Sequence, residues 1–284
     1  MASPPTEART SGTRMGGAVP RFSWKSTLAV LVVLGLTGWS FYGTEFDLVE
    51  LFSSTRPMER FVSGMFPPDF SAVTLRQTGT GLMETFQMSF LGALIGAAAA
   101  FPLSALATQE LAVVSTSRGE RLLRAIPYHA ARLVINVFRS VPDILWALVF
   151  VVAVGLGPFP GTLALAVHSA GILGKLYSET LEAVPNRPVE ALRATGAGTL
   201  QTFLFGRFPQ AVSGFTSLTL YQWECNIRSA AVLGLVGAGG IGQQIIISMN
   251  LFDYSKVATL VGATIIAVLL VDGFSAAVRR RLVY

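Results

Sequence analysis

Charge is scarce in this chain of 284 residues: Lys, Arg, Asp and Glu make up 13% of it, against about 25% in a typical soluble domain. A soluble globule of this length needs a polar shell, and there is too little charge to build one. Cysteine is limited to Cys225, which excludes an intrachain disulfide and a thiolate metal site. Set in an apolar stretch, it reads as a small buried side chain. The two histidines, His129 and His168, stand 39 residues apart and form no ligand pair.

Phosphate-binding loops are lacking as well. Gly171-Ile172-Leu173-Gly174-Lys175 is too short for a P-loop and has no Ser or Thr after its lysine. Gly237-Ala238-Gly239-Gly240-Ile241-Gly242 has the glycine spacing of a dinucleotide fingerprint. It lies between apolar runs, however, and no acidic residue follows about twenty residues on. ATP binding in the usual way is excluded, so active work by this chain needs a partner or an ion gradient. The basic residues, net +5, are spread over several loops without an aromatic-interleaved patch, and nucleic acid is not an expected partner.

What the chain has in abundance is apolar residues, at 52%, and glycine, at 28 residues. Glycine is frequent where helices approach closely in lipid. No charge occurs in 26–44, 85–109, 144–174, 229–252 or 257–271. A bilayer core needs about 20 mostly apolar residues per helix, and the runs lack the two-residue alternation of a transmembrane β-strand. The expected fold class is an all-α integral membrane protein with six transmembrane helices, over 25–43, 80–108, 131–156, 160–183, 209–235 and 254–278. Residues 1–24 read as a disordered basic N-terminus. The first apolar run reads as an uncleaved anchor, because Gly38-Trp39-Ser40-Phe41-Tyr42 is not a small-x-small cleavage site. Fourteen Lys and Arg residues fall on the side that holds both termini and four on the other, which puts both termini in the cytoplasm. The extracytoplasmic segment 44–79 carries short amphipathic patterns before Pro67-Pro68, and reads as a membrane-lying connector or a docking surface.

The most specific stretch is the cytoplasmic loop 184–208. Pro188 suits the first turn of a helix, Glu190 its positive end and Gly196 its stop. A second short helix from about Thr199 would run to Pro209, which opens the fifth span. Two short helices bent at Gly196 and Gly198 make a knob that can carry a partner's movement into the bundle, unless they are an ordinary amphipathic loop. Glu190-Ala191-Leu192, then Gly196, then, after nine residues, Gly206-Arg207-Phe208-Pro209 resembles the EAA loop of ABC importer permeases. That loop has the form Glu-Ala-Ala, three residues, Gly, nine residues, Ile-x-Leu-Pro. The departures, Leu192, Gly206 and Phe208, are in side-chain size. Together with Arg139-Ser140-Val141-Pro142 and Trp223-Glu224-Cys225-Asn226-Ile227-Arg228, the chain is similar to the phosphonate, phosphite and phosphate permeases, a methionine-importer-like branch with the type I importer fold. The resemblance implies a permease core over 80–283 that brings a phosphorus oxyanion across the plasma membrane of a prokaryote and does no covalent chemistry. It also implies a second copy of the chain, two ATPase subunits that bind ATP and Mg, and an extracytoplasmic substrate-binding protein. Glu190, Ala191, Leu192, Arg193, Gly196, Phe208 and Pro209 would then form the loop that seats in the ATPase.

A charge at the centre of a lipid-facing helix costs about 2.5–3.5 kcal/mol. Glu224 and Arg228 should therefore face the interior, and their i,i+4 spacing lets them pair. Ser213, Ser217 and Tyr221 extend that face, and Asn226 joins the same candidate set. The stripe is either the anion route, with Arg228 attracting the oxyanion and Glu224 limiting how tightly it is held, or an ion pair that locks the bundle. On the second span, Gly92 and Gly96 read as a close-packing motif. Pro142 should kink the third span, with Arg139 and Asp143 paired beside it. Gly237, Gly239, Gly240 and Gly242 either break the chain so that backbone N–H groups face an anion, or simply form a turn. The alternatives are an ion-coupled secondary transporter, which would show an internal repeat that is not evident here, and an ABC permease for a different small solute. An intramembrane hydrolase needs a Ser–His pair, and His168 and Ser169, being adjacent, face different ways on a helix.

Overall fold

The computed structural model describes residues 24–45, 55–108 and 118–283, with 55–57, 118–124 and 282–283 as backbone only. Every regular element among the described residues is helical. The expected disordered N-terminus, up to residue 23, and residues 46–54 of the outer segment lie outside the described residues. The chain divides into two units, 1–58 and 59–284. The first holds α1 (Trp24–Gly43), whose 20 residues carry one charge, Lys25. At 1.5 Å per residue it reaches about 30 Å, the thickness of a bilayer's hydrocarbon core.

The second unit is built on α3 (Ala72–Ala107) and α6 (Pro158–Ala183). The buried face of α3 includes Thr85, Met88, Ser89, Gly92, Gly96 and Ala100, at the three- and four-residue steps of a helical stripe. A Cβ on Gly92 would stand 2.7 Å from Leu165 Cβ, and one on Gly96 2.5 Å from Ser169 Cβ. The two backbones meet this closely only because those side chains are absent. Helix α3 starts at Ala72, before the expected boundary at 80, because its cap lies upstream. The Ser71 hydroxyl accepts from Thr74 N, and Asp69 accepts from Ser71 N at 2.8 Å.

Helix α2 (Thr55–Gly64) ends against the start of α11 (Tyr254–Val283). Phe61 meets Tyr254 edge-on at 5.2 Å, and the Ser255 hydroxyl donates to Gly64 O at 3.2 Å. The Thr259 hydroxyl donates to Asp69 O at 2.7 Å, so the connector before α3 is stitched to α11. The last helix continues to Val283, beyond the expected end at 278.

Several expectations are corrected. The third span is not a kinked helix over 131–156: α4 (Arg118–Ser140) and α5 (Asp143–Val154) meet at 91° across Val141-Pro142. Pro142 has no N–H to continue α4 and sits extended, at φ −55° and ψ 145°, as the residue before α5. The corner is held by Trp146 Nε1 donating to Phe138 O at 3.2 Å, and by His168 Nδ1, 3.1 Å from Val141 O. With the break between them, Arg139 and Asp143 do not pair. Arg139 Nε donates to Asn136 Oδ1 at 3.3 Å, and Asp143 accepts from Ile144 N at 2.9 Å.

The fifth span also begins earlier than expected. From α8 (Thr199–Gln201) the helix passes through a π-helical turn, Thr202–Arg207, into α9 (Phe208–Leu233) without stopping at Pro209. Phe208 N–H reaches back to Phe203 O, five residues, so the ladder is already widened where Pro209 has no N–H to give. After a 3-10 turn at Gly234–Val236, a short helix α10 (Gly240–Asn250) occupies what the sequence reads as outer loop, bent 42° from the stretch before it.

On length and composition, α1, α3 and α11 are apolar enough to cross a membrane, or up to five spans if each bent pair counts as one. Helix α6, at 26 residues, is outside that set; its buried face is lined mainly by small and apolar residues, and Lys175, Glu179 and Glu182 lie off that face in its C-terminal half.

Candidate functional site

The loop 184–208 folds as a hairpin of α7 (Asn186–Ala194) against the π turn. Val189 is buried beneath it, and Leu192 rests over Gly206, where a Cβ would lie 3.0 Å from Leu192 Cδ1. Gly206, a departure from the larger residue of the family pattern, is thus matched by the larger Leu192. Gly196 ends α7 at φ +84°, a conformation open to glycine, and its N–H donates to Arg193 O at 2.9 Å. Glu190, Ala191, Arg193 and Pro209 lie on the exposed side, and Phe208 is half-buried against Phe101 at 5.4 Å.

Arg207, present in the motif but not among the residues the sequence singles out, holds this hairpin to the bundle. It is 3% exposed. Its Nη1 donates to Leu181 O at 2.5 Å, and its Nη2 to Asn186 Oδ1 at 3.1 Å. One side chain at the head of α9 therefore satisfies a carbonyl in the last turn of α6 and grips the first residue of α7. The signal in the sequence is an arginine among apolar residues at a turn, which a motif built on size does not weigh.

The α9 candidates divide into two sets. Ser213, Tyr221 and Arg228 face out of the bundle, with Ser217 half-buried between them; the Arg228 side chain is 52% exposed. Glu224 and Asn226 are buried. Asn226 belongs to a cluster between α6 and α9, 2.9 Å from Ser169 Oγ and 3.0 Å from Gln222 Nε2. It packs the helices and does not line a surface. The expected side-chain pair of Glu224 with Arg228 does not form. Glu224 pairs with Arg279 at 2.7 Å, while Arg228 faces Asp272 at 3.6 Å, both partners lying on α11. Arg228 Nε donates instead to the Glu224 carbonyl at 3.1 Å. Asp272, Ser275 and Arg279 follow a three-then-four step on one face of α11, a pattern readable in the sequence, although not its pairing with α9.

The glycine run breaks the helix as a backbone of positive φ: +82° at Gly237, +78° at Gly239 and +74° at Gly240. Gly242 packs so tightly that a Cβ would lie 1.9 Å from Ala231 O. The N–H groups at the start of α10 are taken by α3: Glu84 Oε2 accepts from Gly240 N at 3.0 Å, and Thr85 Oγ1 from Ile241 N at 2.9 Å. A carboxylate of the chain itself thus stands at that positive helix end. Among the described residues no three His, Cys, Asp or Glu side chains gather as metal ligands.

Membrane-length helices, a polar face turned out of the bundle and a bracketed loop are features of an integral membrane protein. The chain belongs to the family of binding-protein-dependent transport system inner membrane components, which matches residues 111–284. The phosphite transport system permease protein of Stutzerimonas stutzeri is 34% identical over 260 residues, 90% of each chain. The phosphate-import permease protein of Mycolicibacterium smegmatis is 30% identical over 252 residues, 89% of this chain and 45% of its own length. A solved structure of the MetNI methionine ABC transporter, in an inward-facing conformation, matches with a TM-score of 0.63 and 24% identity, over 75% of this chain and 99% of that one. The fold is therefore that of an ABC importer permease. The chain is a multi-pass inner-membrane transport component and not an enzyme.

Proposed function

We propose that the chain is the permease through which an ATP-driven importer moves a phosphorus oxyanion, phosphite, phosphate or phosphonate, into the cytoplasm. Two copies face each other across the path, served by two ATPase subunits and an extracytoplasmic binding protein. The observation that carries this reading is the outward polar face of α9, with Ser213, Ser217, Tyr221 and the half-exposed Arg228. Facing lipid, Arg228 alone would cost about 2.5–3.5 kcal/mol. That face belongs instead against water and a second copy. A guanidinium, with five donors in a planar fork, suits an oxyanion, and the substrates named for the relatives supply the phosphorus.

In this reading the membrane is crossed six times, by α1, α3, the bent pair α4–α5, α6, α9 and α11, with both termini in the cytoplasm. Helix α6 needs no apolar surface all round, because its neighbours cover it. The exposed side of α7, with Glu190, Ala191 and Arg193, seats in the ATPase, which supplies ATP and Mg. When the ATPases close, the pull on α7 reaches α6 and α9 through Arg207, and the path opens outward to take the anion from the binding protein. Hydrolysis reverses the movement and the anion leaves inward.

Arg228→Gln is expected to lower uptake of the transported anion at least about tenfold, equivalent to about 1.4 kcal/mol, in a complex that still assembles and keeps basal ATP hydrolysis. Wild-type uptake by that complex would refute the path.

A further inference from the structure

Charged groups inside a membrane bundle are expensive, and four of them meet where α9 lies against α11. Glu224 is engaged with Arg279 at 2.7 Å and is buried, so it is not available to temper Arg228. Arg228 is anchored at its Nε on the Glu224 carbonyl at 3.1 Å, which leaves the Nη groups facing outward and toward Asp272. The Asp272 Oδ1 stands 3.6 Å from Arg228 Nη2, close enough to attract but beyond hydrogen-bond length. That same Oδ1 is shielded from solvent with no hydrogen bond, and so is the Ser275 hydroxyl, one turn further along α11. Shielded polar atoms without partners are rare in folded proteins, because each forfeits its hydration.

We propose that Asp272 is the internal counter-ion of Arg228 and sets how tightly the path holds its anion. This inference rests on the reading of Arg228 as a path residue. A close, bidentate carboxylate would keep the guanidinium from substrate. A bare guanidinium would hold an oxyanion too firmly for transit. The loose pair lies between these cases: both side chains are partly exposed, 52% for Arg228 and 38% for Asp272, and the guanidinium is shared rather than sealed. The four charges sum to zero, so an arriving anion leaves the cluster with excess negative charge. Asp272 then competes with that anion for Arg228 and favours its departure. Asp272 positions and tempers Arg228 without itself binding the oxyanion.

The test uses the permease–ATPase complex in nanodiscs without the binding protein, whose own affinity would otherwise mask the path. The probes are inorganic phosphate, phosphite and methylphosphonate, and the readouts are equilibrium binding and, in proteoliposomes with the binding protein, maximal uptake. Asp272→Asn is expected to tighten binding of the transported anion about tenfold, equivalent to about 1.4 kcal/mol, while slowing maximal uptake. Asp272→Glu should behave like wild type, and the effect of Asp272→Asn should vanish when Arg228→Gln is also present. If Asp272→Asn fails to co-purify with the ATPase, Asp272→Ser is read in the same way. Unchanged or absent binding in Asp272→Asn, or in Asp272→Ser where that stands in for it, with uptake lost in Arg228→Gln, would overturn the counter-ion and leave the path standing. Normal uptake in Arg228→Gln would overturn both.

Discussion

A single methyl group tests how α3 and α6 meet. Alanine in place of a helical glycine gains about 1 kcal/mol of helix propensity. At Gly96 its Cβ would lie 2.5 Å from Ser169 Cβ and 3.0 Å from the Ala166 carbonyl oxygen, and overpacking of this kind costs about 1–3 kcal/mol. The clash outweighs the propensity, so Gly96→Ala should lower the melting temperature of the solubilised protein. Gly79→Ala, on the same helix with nothing within 4 Å, should hold or raise it; similar shifts at the two sites would contradict the close contact. Asp69, outside the spans, makes a prediction about pH. The Thr74 hydroxyl first, and then the Ser71 N–H, hold its carboxyl below the ordinary value of 3.8. A depressed pKa means that the carboxylate stabilises the fold. The contribution is complete above the ordinary value and is lost as pH falls through the folded-state value. The advantage of wild type over Asp69→Asn in melting temperature should be steady from about pH 7 to about pH 5 and shrink below about pH 4. A gap that persists in acid would exclude the carboxylate as its source.

The hairpin of α7 on the π turn depends on one bracket, and Arg207→Lys probes it. An ammonium has no fixed fork with which to reach the Leu181 carbonyl and Asn186 together. Leaving one buried partner unsatisfied costs about 1–3 kcal/mol. The variant should retain less ATPase on co-purification and transport less per ATP hydrolysed, and full coupling would refute the bracket. This loop is legible in the sequence because its signals are local: Pro188, Glu190 and Gly196 each act on the turn they belong to. The corner at Pro142 is half legible. Proline predicts an interruption, but the 91° turn depends on Trp146 and His168 closing it from either side. Helix α10 is hidden by its own start, since Gly237 to Gly240 read as loop until Glu84 and Thr85 of α3 are brought up to cap it. The pairing on α9 is misread for a related reason. An i,i+4 rule sees only one helix, and Arg279 and Asp272 on α11 compete more effectively for Glu224 and Arg228.

The family and its fold account for why the chain carries so little charge and places what it has at crossings between helices. Polar groups that serve packing, such as Asn226 with Ser169, are turned inward and satisfied, whereas Arg228 is turned out. In the proposed assembly, the exposed polar face of α9 acts with a second copy, the ATPases and the binding protein in place. The most direct test is uptake of labelled phosphate at limiting concentration in cells with and without this gene, with unlabelled phosphite and methylphosphonate as competitors and the tagged chain checked for a co-purifying ATPase. Uptake that depends on the gene, competes with one or both of these anions and comes with a bound ATPase is the predicted result. Phosphorus-anion uptake and growth that do not change with the gene, or a tagged chain with no ATPase partner, would contradict it.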